Sequence, residues 1–114
     1  MKSDQKRREE IPYGTLDMLI LQTLSPAKEM HGFQIADSIQ ETTESVLNVE
    51  EGSLYPALQR LLINGWVASE WGRTEGNRRA RYYRLTPAGR KQLAFEIDRY
   101  YRLTRAIGRI LQPA

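Results

Sequence analysis

The chain has 114 residues, a formal net charge of +3, and is 40% hydrophobic and 27% charged. That composition suits one modest soluble domain. It has no cysteine, which excludes disulfides, thiolate metal sites and cysteine nucleophiles. No apolar run approaches the ~18 residues a membrane span needs. Residues 1–10 are charged and lack the apolar centre of a secretory signal. They read as a flexible tail, and the cytoplasm is the default compartment. The charge is unevenly placed: Ile11 to Glu51 carries one cation against seven acids, whereas Gly52 to Lys91 carries eight cations against two acids. A basic block of this kind suits a polyanion, with a merely basic solvated surface as the alternative.

In chain order, the first helix is expected from Thr15 to Ser25, with Thr15 as its cap and Pro26 as its stop. Leu16, Leu19, Ile20, Leu21 and Leu24 make it apolar over most of its surface, as a central core helix should be. The second helix runs from Gly32 to Thr42, with Phe33, Ile35, Ala36 and Ile39 as its buried face. Thr42 to Glu51 reads as a loop holding one short strand. A third helix begins at Gly52 or Ser53, with Pro56 in its first turn, where a missing N–H costs nothing. Leu54, Leu58, Leu61 and Leu62 form its inner face, and Gly65 ends it. Its outer face carries Ser53, Pro56, Gln59, Arg60 and Ile63, with Tyr55 at the flank. A helix turned only to water rarely mixes Tyr, Pro and Ile on that side, so this face is expected to touch a partner.

Two strands follow, Trp66 to Gly72 and Arg79 to Leu85. The Gly76-Asn77 pair supplies the turn between them. By alternation, Tyr83 and Leu85 pack inward with Val67. The hairpin tip is rich in arginine. Thr86 then caps a final helix with Pro87 at its first position. This helix extends to about Leu111, or ~37 Å of length. Leu93, Ile97, Tyr100, Thr104, Ile107 and Leu111 recur at heptad spacing. Phe95, Leu103, Ala106 and Ile110 form a second apolar strip on the opposite side. A helix with two such strips needs two partners, its own domain and a second copy of the chain, so a homodimer is expected. The fold class is mainly α with a small β-hairpin: a winged helix-turn-helix over 11–86 and a dimerisation helix over 87–114.

A helix fits the major groove of B-DNA, and a basic hairpin can straddle the adjacent backbone. The candidate recognition-helix contacts are Ser53, Tyr55, Pro56, Gln59 and Arg60. Arg60 suits guanine, Gln59 suits adenine, and Ser53 and Tyr55 near the helix start suit phosphate. Each has a blander alternative: Tyr55 as a half-buried aromatic, Gln59 and Arg60 as solvated groups. The candidate wing contacts are Arg73, Asn77, Arg78, Arg79 and Arg81, reaching phosphate or the minor groove. Ion pairs with Glu70 or Glu75 are the alternative for any one of these arginines.

Four runs now carry a family resemblance: Tyr13 to Leu21 (YGTLDMLIL), Met30 to Ala36 (MHGFQIA), Gly52 to Leu58 (GSLYPAL) and Tyr82 to Gly89 (YYRLTPAG). In this order they resemble the PadR family of bacterial regulators. The resemblance spans about residues 11 to 93. It implies a homodimeric winged-helix repressor on a pseudo-palindromic operator in double-stranded DNA, and it places Ser53 to Arg60 in the recognition helix. Relatives are often released by a small apolar or aromatic effector or by stress, and often control detoxification or efflux genes and their own promoter. The single C-terminal helix resembles the compact branch. That helix offers Phe95, Tyr100 and Tyr101 but no tryptophan, so a stacking site built on a C-terminal tryptophan is not expected here.

Catalysis has no support. His31 is the only histidine, and its place before Gly32 reads as capping or packing. No phosphate loop, metal-ligand spacing or nucleophile motif occurs, so neither metal nor cofactor is expected. A winged-helix module that binds protein rather than DNA stays open as the alternative. The five arginines between Arg73 and Arg84 weigh against it. A membrane-surface role fits worse, since the last helix mixes Glu96 and Asp98 with its cations.

Overall fold

Leu16–Leu24 forms α1, and its leucine-rich sequence gives it little to offer water. Met18, Ile20, Leu21 and Leu24 are buried, and α1 touches every other helix or its neighbouring sheet. The computed structural model describes residue 11 and residues 14–112. The charged tail expected over 1–10 lies outside the described residues. Thr15 occupies the cap position of α1, but its hydroxyl makes no capping bond because its backbone is already helical. Ser25, next to Pro26, ends the helix.

A strand absent from the sequence expectations follows, β1 at Met30–His31. Helix α2 spans Gly32–Thr42, as expected, and begins with the Gln34 side chain accepting the His31 N–H at 3.0 Å. This is the capping role anticipated for His31, whose ring also meets Tyr82 edge-on at 5.4 Å. Ile35 and Ile39 are buried, but Phe33 is 61% exposed, against expectation. Phe33 sits two positions from Ile35, which on a helix is the opposite side. Beyond α2 the chain closes a Schellman turn, with Ser45 N–H donating to the Gln40 carbonyl and Glu44 N–H to that of Glu41. Such a turn needs a left-handed residue, ordinarily glycine. Here Glu44 (φ 53°) and Ser45 (φ 68°) adopt it instead. The strand expected between Thr42 and Glu51 reduces to an isolated bridge at Leu47.

Helix α3 spans Glu51–Ile63, starting slightly earlier than expected. Pro56 therefore lies in its second turn, not its first, where it withholds the N–H that would otherwise meet the Gly52 carbonyl. Leu54, Ala57, Leu58 and Leu61 are buried. Gly65 (φ 76°) closes α3: Trp66 N–H donates to the Leu61 carbonyl and Gly65 N–H to that of Leu62. Strands β2 (Val67–Arg73) and β3 (Arg79–Leu85) form an antiparallel hairpin, and β1 pairs with β3 in the order β1-β3-β2. Asn77, not Gly76, takes the left-handed turn position (φ 62°). Val67 and Tyr83 face the core as anticipated.

Helix α4 spans Pro87–Leu111, with Thr86 Oγ1 accepting the Gly89 N–H at 3.0 Å and Pro87 in the first turn. Thr86 also ties α4 to the end of α3. Its N–H donates to the Trp66 carbonyl at 3.1 Å and its hydroxyl to the Gly65 carbonyl at 2.8 Å. Gly89 is buried at this joint, where a Cβ would lie 1.9 Å from the Trp66 carbonyl oxygen. Gly108, by contrast, has open space where its Cβ would be. Gly89→Ala is therefore expected to cost about 3 kcal/mol, since a backbone atom cannot swing aside. Gly108→Ala should stabilise the folded protomer by about 0.8 kcal/mol through helix propensity. Denaturant unfolding of both variants checks the pair.

Candidate nucleic-acid interface

The buried leucines of α3 fix which side of it faces outward. Ser53, Tyr55, Pro56, Gln59, Arg60 and Ile63 all lie on the exposed side, Ile63 with 75% of its surface accessible. The face drawn from sequence thus exists as one continuous surface. Its electrostatics differ from expectation, because the helix begins at Glu51 with Glu50 as its cap. Two carboxylates at the helix start offset the pull of its N-terminal dipole on a phosphate near Ser53. Tyr55, one turn further in, lies beyond the reach of that dipole.

Tyr55 is anchored rather than free. Its ring packs on α2, and a Cβ at Gly32 would stand 2.6 Å from the phenol oxygen. Glycine at position 32 therefore makes room for the tyrosine. Burial raises the Tyr55 pKa above its ordinary 10.0, and Glu51 and then Tyr83 push the same way. The ring remains 46% exposed, so both the packing role and an outward edge are present in one residue.

Arg60 is held across the domain by Asp17 of α1. Its Nη2 and Nε donate to the two carboxylate oxygens at 2.7 and 3.2 Å. This two-point ion pair orients the guanidinium group over the α1–α3 junction. Asp17 was not among the residues singled out in the sequence, and the two are 43 positions apart. No periodicity could have joined them.

The hairpin projects its arginines from defined faces. Pairing sets Trp71 opposite Arg81 and Arg73 opposite Arg79. Alternation then puts Trp71, Arg73, Arg79 and Arg81 on the same sheet face as the core residues Val67 and Tyr83. Arg73 Nη1 donates to the Asn77 carbonyl at 3.1 Å, bracing the tip. Arg78 and Asn77 are exposed at the turn. Among the described residues no wing arginine pairs with Glu70 or Glu75, so the alternative weighed for them is not realised. On the reverse face, Tyr82 donates its hydroxyl to the Arg73 carbonyl at 3.0 Å and covers Gly72.

The seam expected on α4 divides. Leu93 is buried in the chain's own core and Ile97 packs against it, so Leu93 is not available to a partner, contrary to expectation. Beyond it, Tyr100, Ile107 and Leu111 are 40%, 46% and 75% exposed. A groove of about 1000 Å³ runs between α1, Val46–Leu47 and this half of α4, lined by Met18, Leu19, Ile97, Tyr100, Leu103 and Ile107. Phe95, Leu103 and Ile110 on the second strip are also exposed. Among the described residues no helix is long and apolar enough to cross a membrane.

Comparison with known proteins gives one consistent result. The model of the transcriptional regulator PadR-like family matches residues 20–95. An uncharacterised protein from Lysinibacillus sphaericus is 29% identical over 87 residues, covering 76% of this chain and 79% of that one. A transcriptional regulator from Mycobacterium tuberculosis is 42% identical over 65 residues, which is 57% of each chain. Among solved structures, a transcriptional regulator from Clostridium thermocellum superposes with a TM-score of 0.79 at 29% identity, over 87% of this chain and 95% of its own. A PadR family transcription regulator from Clostridium difficile superposes with a TM-score of 0.74 at 27% identity, over 87% and 100%.

The raised Tyr55 pKa links folding to alkaline pH. The folded state holds the phenol neutral, so stability falls as pH rises past 10.0, where the unfolded chain ionises first. An alkaline absorbance titration of the native protein should show a phenolate component above pH 10, and Tyr55→Phe should remove it.

Proposed function

Because the chain belongs to the PadR-like family of transcriptional regulators, we propose that it is a sequence-specific DNA-binding repressor acting as a homodimer. The family is one of regulators and not of enzymes. The observation that carries the reading is the α3 face: a run of polar and apolar side chains exposed among the described residues, on the helix whose inner side seats it in the core. The arginine hairpin adjoins it through β2. In this reading residues 11–86 are the DNA-binding unit. Gln59 and Arg60 read base edges, with Pro56 and Tyr55 against sugar and phosphate and Ser53 at the helix start. Arg73, Asn77, Arg78, Arg79 and Arg81 take backbone phosphates or the minor groove.

Residues 87–114 serve as the dimerisation segment. Ile97, Tyr100, Thr104, Ile107 and Leu111 face the groove or open solvent, and the α4 of a second copy would cover them. A two-fold dimer on that helix calls for a pseudo-palindromic operator. We place the protein in the cytoplasm. Its targets would include its own promoter and genes for detoxification, efflux or stress. Release would come from a small apolar or aromatic effector or a stress signal, and the apolar lining of the groove favours such an effector over a charged one.

A gel shift on the DNA just upstream of its own gene, titrated with salt, tests the core of this reading. A specific band is expected that weakens steeply as salt rises. Replacing Arg78 and Arg79 with Ala should weaken binding on all sequences and flatten the salt slope by about 2 units. Gln59→Ala should cost about 1–3 kcal/mol and relax preference at one base position only. No band from a folded dimer on its own promoter or on genomic fragments would favour the protein-binding alternative. Ile107→Glu should yield monomers by analytical ultracentrifugation and weaken operator binding, since a lone half-site contact lacks the linked second one.

A further inference from the structure

Trp71 has no role in the reading above. It is 55% exposed on the hairpin, well away from the core, where an indole in water gains little. Its ring is nevertheless not idle. The guanidinium carbon of Arg79 lies over it at 4.3 Å from the ring centre, and that of Arg81 at 5.4 Å. Arg81 stands directly across the strand pair, and Arg79 one diagonal step toward the tip. Each guanidinium group is a cation drawn to the electron-rich π system of the same indole. A guanidinium group uses its flat face in such a contact and keeps its N–H edge for hydrogen bonds.

We propose that Trp71 is a positioning residue for the wing, which presents Arg79 and Arg81 as one ordered pair of guanidinium groups to two backbone phosphates of double-stranded DNA. The proposal rests on the DNA-binding reading. Its physical content is preorganisation. A free arginine side chain loses rotamer freedom when it grips a phosphate, and one already lying on an indole has lost much of it beforehand. Trp71 touches no phosphate in this scheme. Its loss should therefore weaken binding without altering how many counterions the DNA releases. The arginines differ in this respect, because each phosphate they neutralise contributes to the salt dependence.

The test is a double-mutant cycle on the full-length protein, using the duplex from its own promoter and salt titrations for each variant. Trp71→Leu keeps bulk but removes the π face, Trp71→Phe keeps a π face, and Arg79→Ala with Arg81→Ala removes the pair. Trp71→Leu is expected to weaken binding by about tenfold, the ordering cost of two long side chains, with an unchanged salt slope. Trp71→Phe should recover most of that loss. In the background lacking both arginines, Trp71→Leu should have almost no effect. Equal affinities for the Leu and Phe variants, or a full loss on Trp71→Leu without the arginines, would overturn the proposal while leaving DNA binding intact. A salt slope lowered by Trp71→Leu would overturn it too, by making the indole a direct contact. Absence of DNA binding by the unaltered protein would overturn both readings.

In the free protein, NMR adds an independent check, for which thermal melts establish that each variant is folded. Ring-current shifts on the Arg79 and Arg81 δ-methylenes should be present and vanish in Trp71→Leu. Random-coil positions in the unaltered protein would show that the stack does not persist in solution and would overturn the proposal.

Discussion

Everything outside the helical core hangs from one joint, where the end of α3 meets the start of α4. Gly65 turns the chain left-handed, Trp66 begins the hairpin, and 21 residues after Gly65 the chain returns to the same spot at Thr86. There the Thr86 backbone and hydroxyl bind the carbonyls of Trp66 and Gly65, while its oxygen also caps α4. One residue thus closes the hairpin at its base through its backbone and hydroxyl, and starts α4 through its side chain. Gly89 admits this because it alone lets α4 approach the Trp66 backbone so closely.

The joint explains why the exposed surface has its particular character. With α3 pinned at its C-terminus and its leucines locked against α1, the outer face cannot rotate. Its side chains are then held by further ties: Arg60 to Asp17, Tyr55 against Gly32, Arg79 and Arg81 on Trp71. In each case a group suited to gripping a charged or planar partner is already restrained in the free protein. Such restraint lowers the entropy lost on contact. The same ties carry an electrostatic tension. Asp17, Glu50 and Glu51 set negative charge beside the basic hairpin, so the local field depends on where the cations stand rather than on their number.

The parts legible in the sequence were those with local chemistry. Thr86-Pro87 marks a helix start without reference to anything distant, and α2, β3 and α4 lie at the expected bounds. Gly65 after Asn64 ends α3 for the same reason. Errors arose where tertiary partners decide the outcome. Strand β1 is two residues long and exists only because Tyr82 and Tyr83 offer it an edge. Phe33 looked like core by composition, yet its angular position sends it outward. Leu93 fits the heptad seam, and only its burial among the domain's other core residues shows that it serves its own core. At the candidate interface, the outer face of α3 and the arginine tip could be drawn from spacing. Asp17 and the Trp71 stack could not, since they depend on a contact 43 positions apart and on hairpin register. The register does follow once the turn is placed at Asn77, so the stack had a faint signal in the alternation of Trp71, Arg79 and Arg81.

The divided seam of α4 makes it a lever as well as a connector. One long rod has its first turns welded to the domain through Leu93, Ile97 and the Thr86 joint, while its far half is mostly exposed among the described residues. A rod of 25 residues is about 37 Å long, so a tilt of about 5° carries its tip through about 3 Å. Whatever lies against Ile107 and Leu111 therefore holds the long arm, and the hairpin and α3 sit at the fulcrum. A small pressure at that distant end translates into the bearing of the whole rod against the head, so the set of the head becomes sensitive to what fills the groove between α1 and α4.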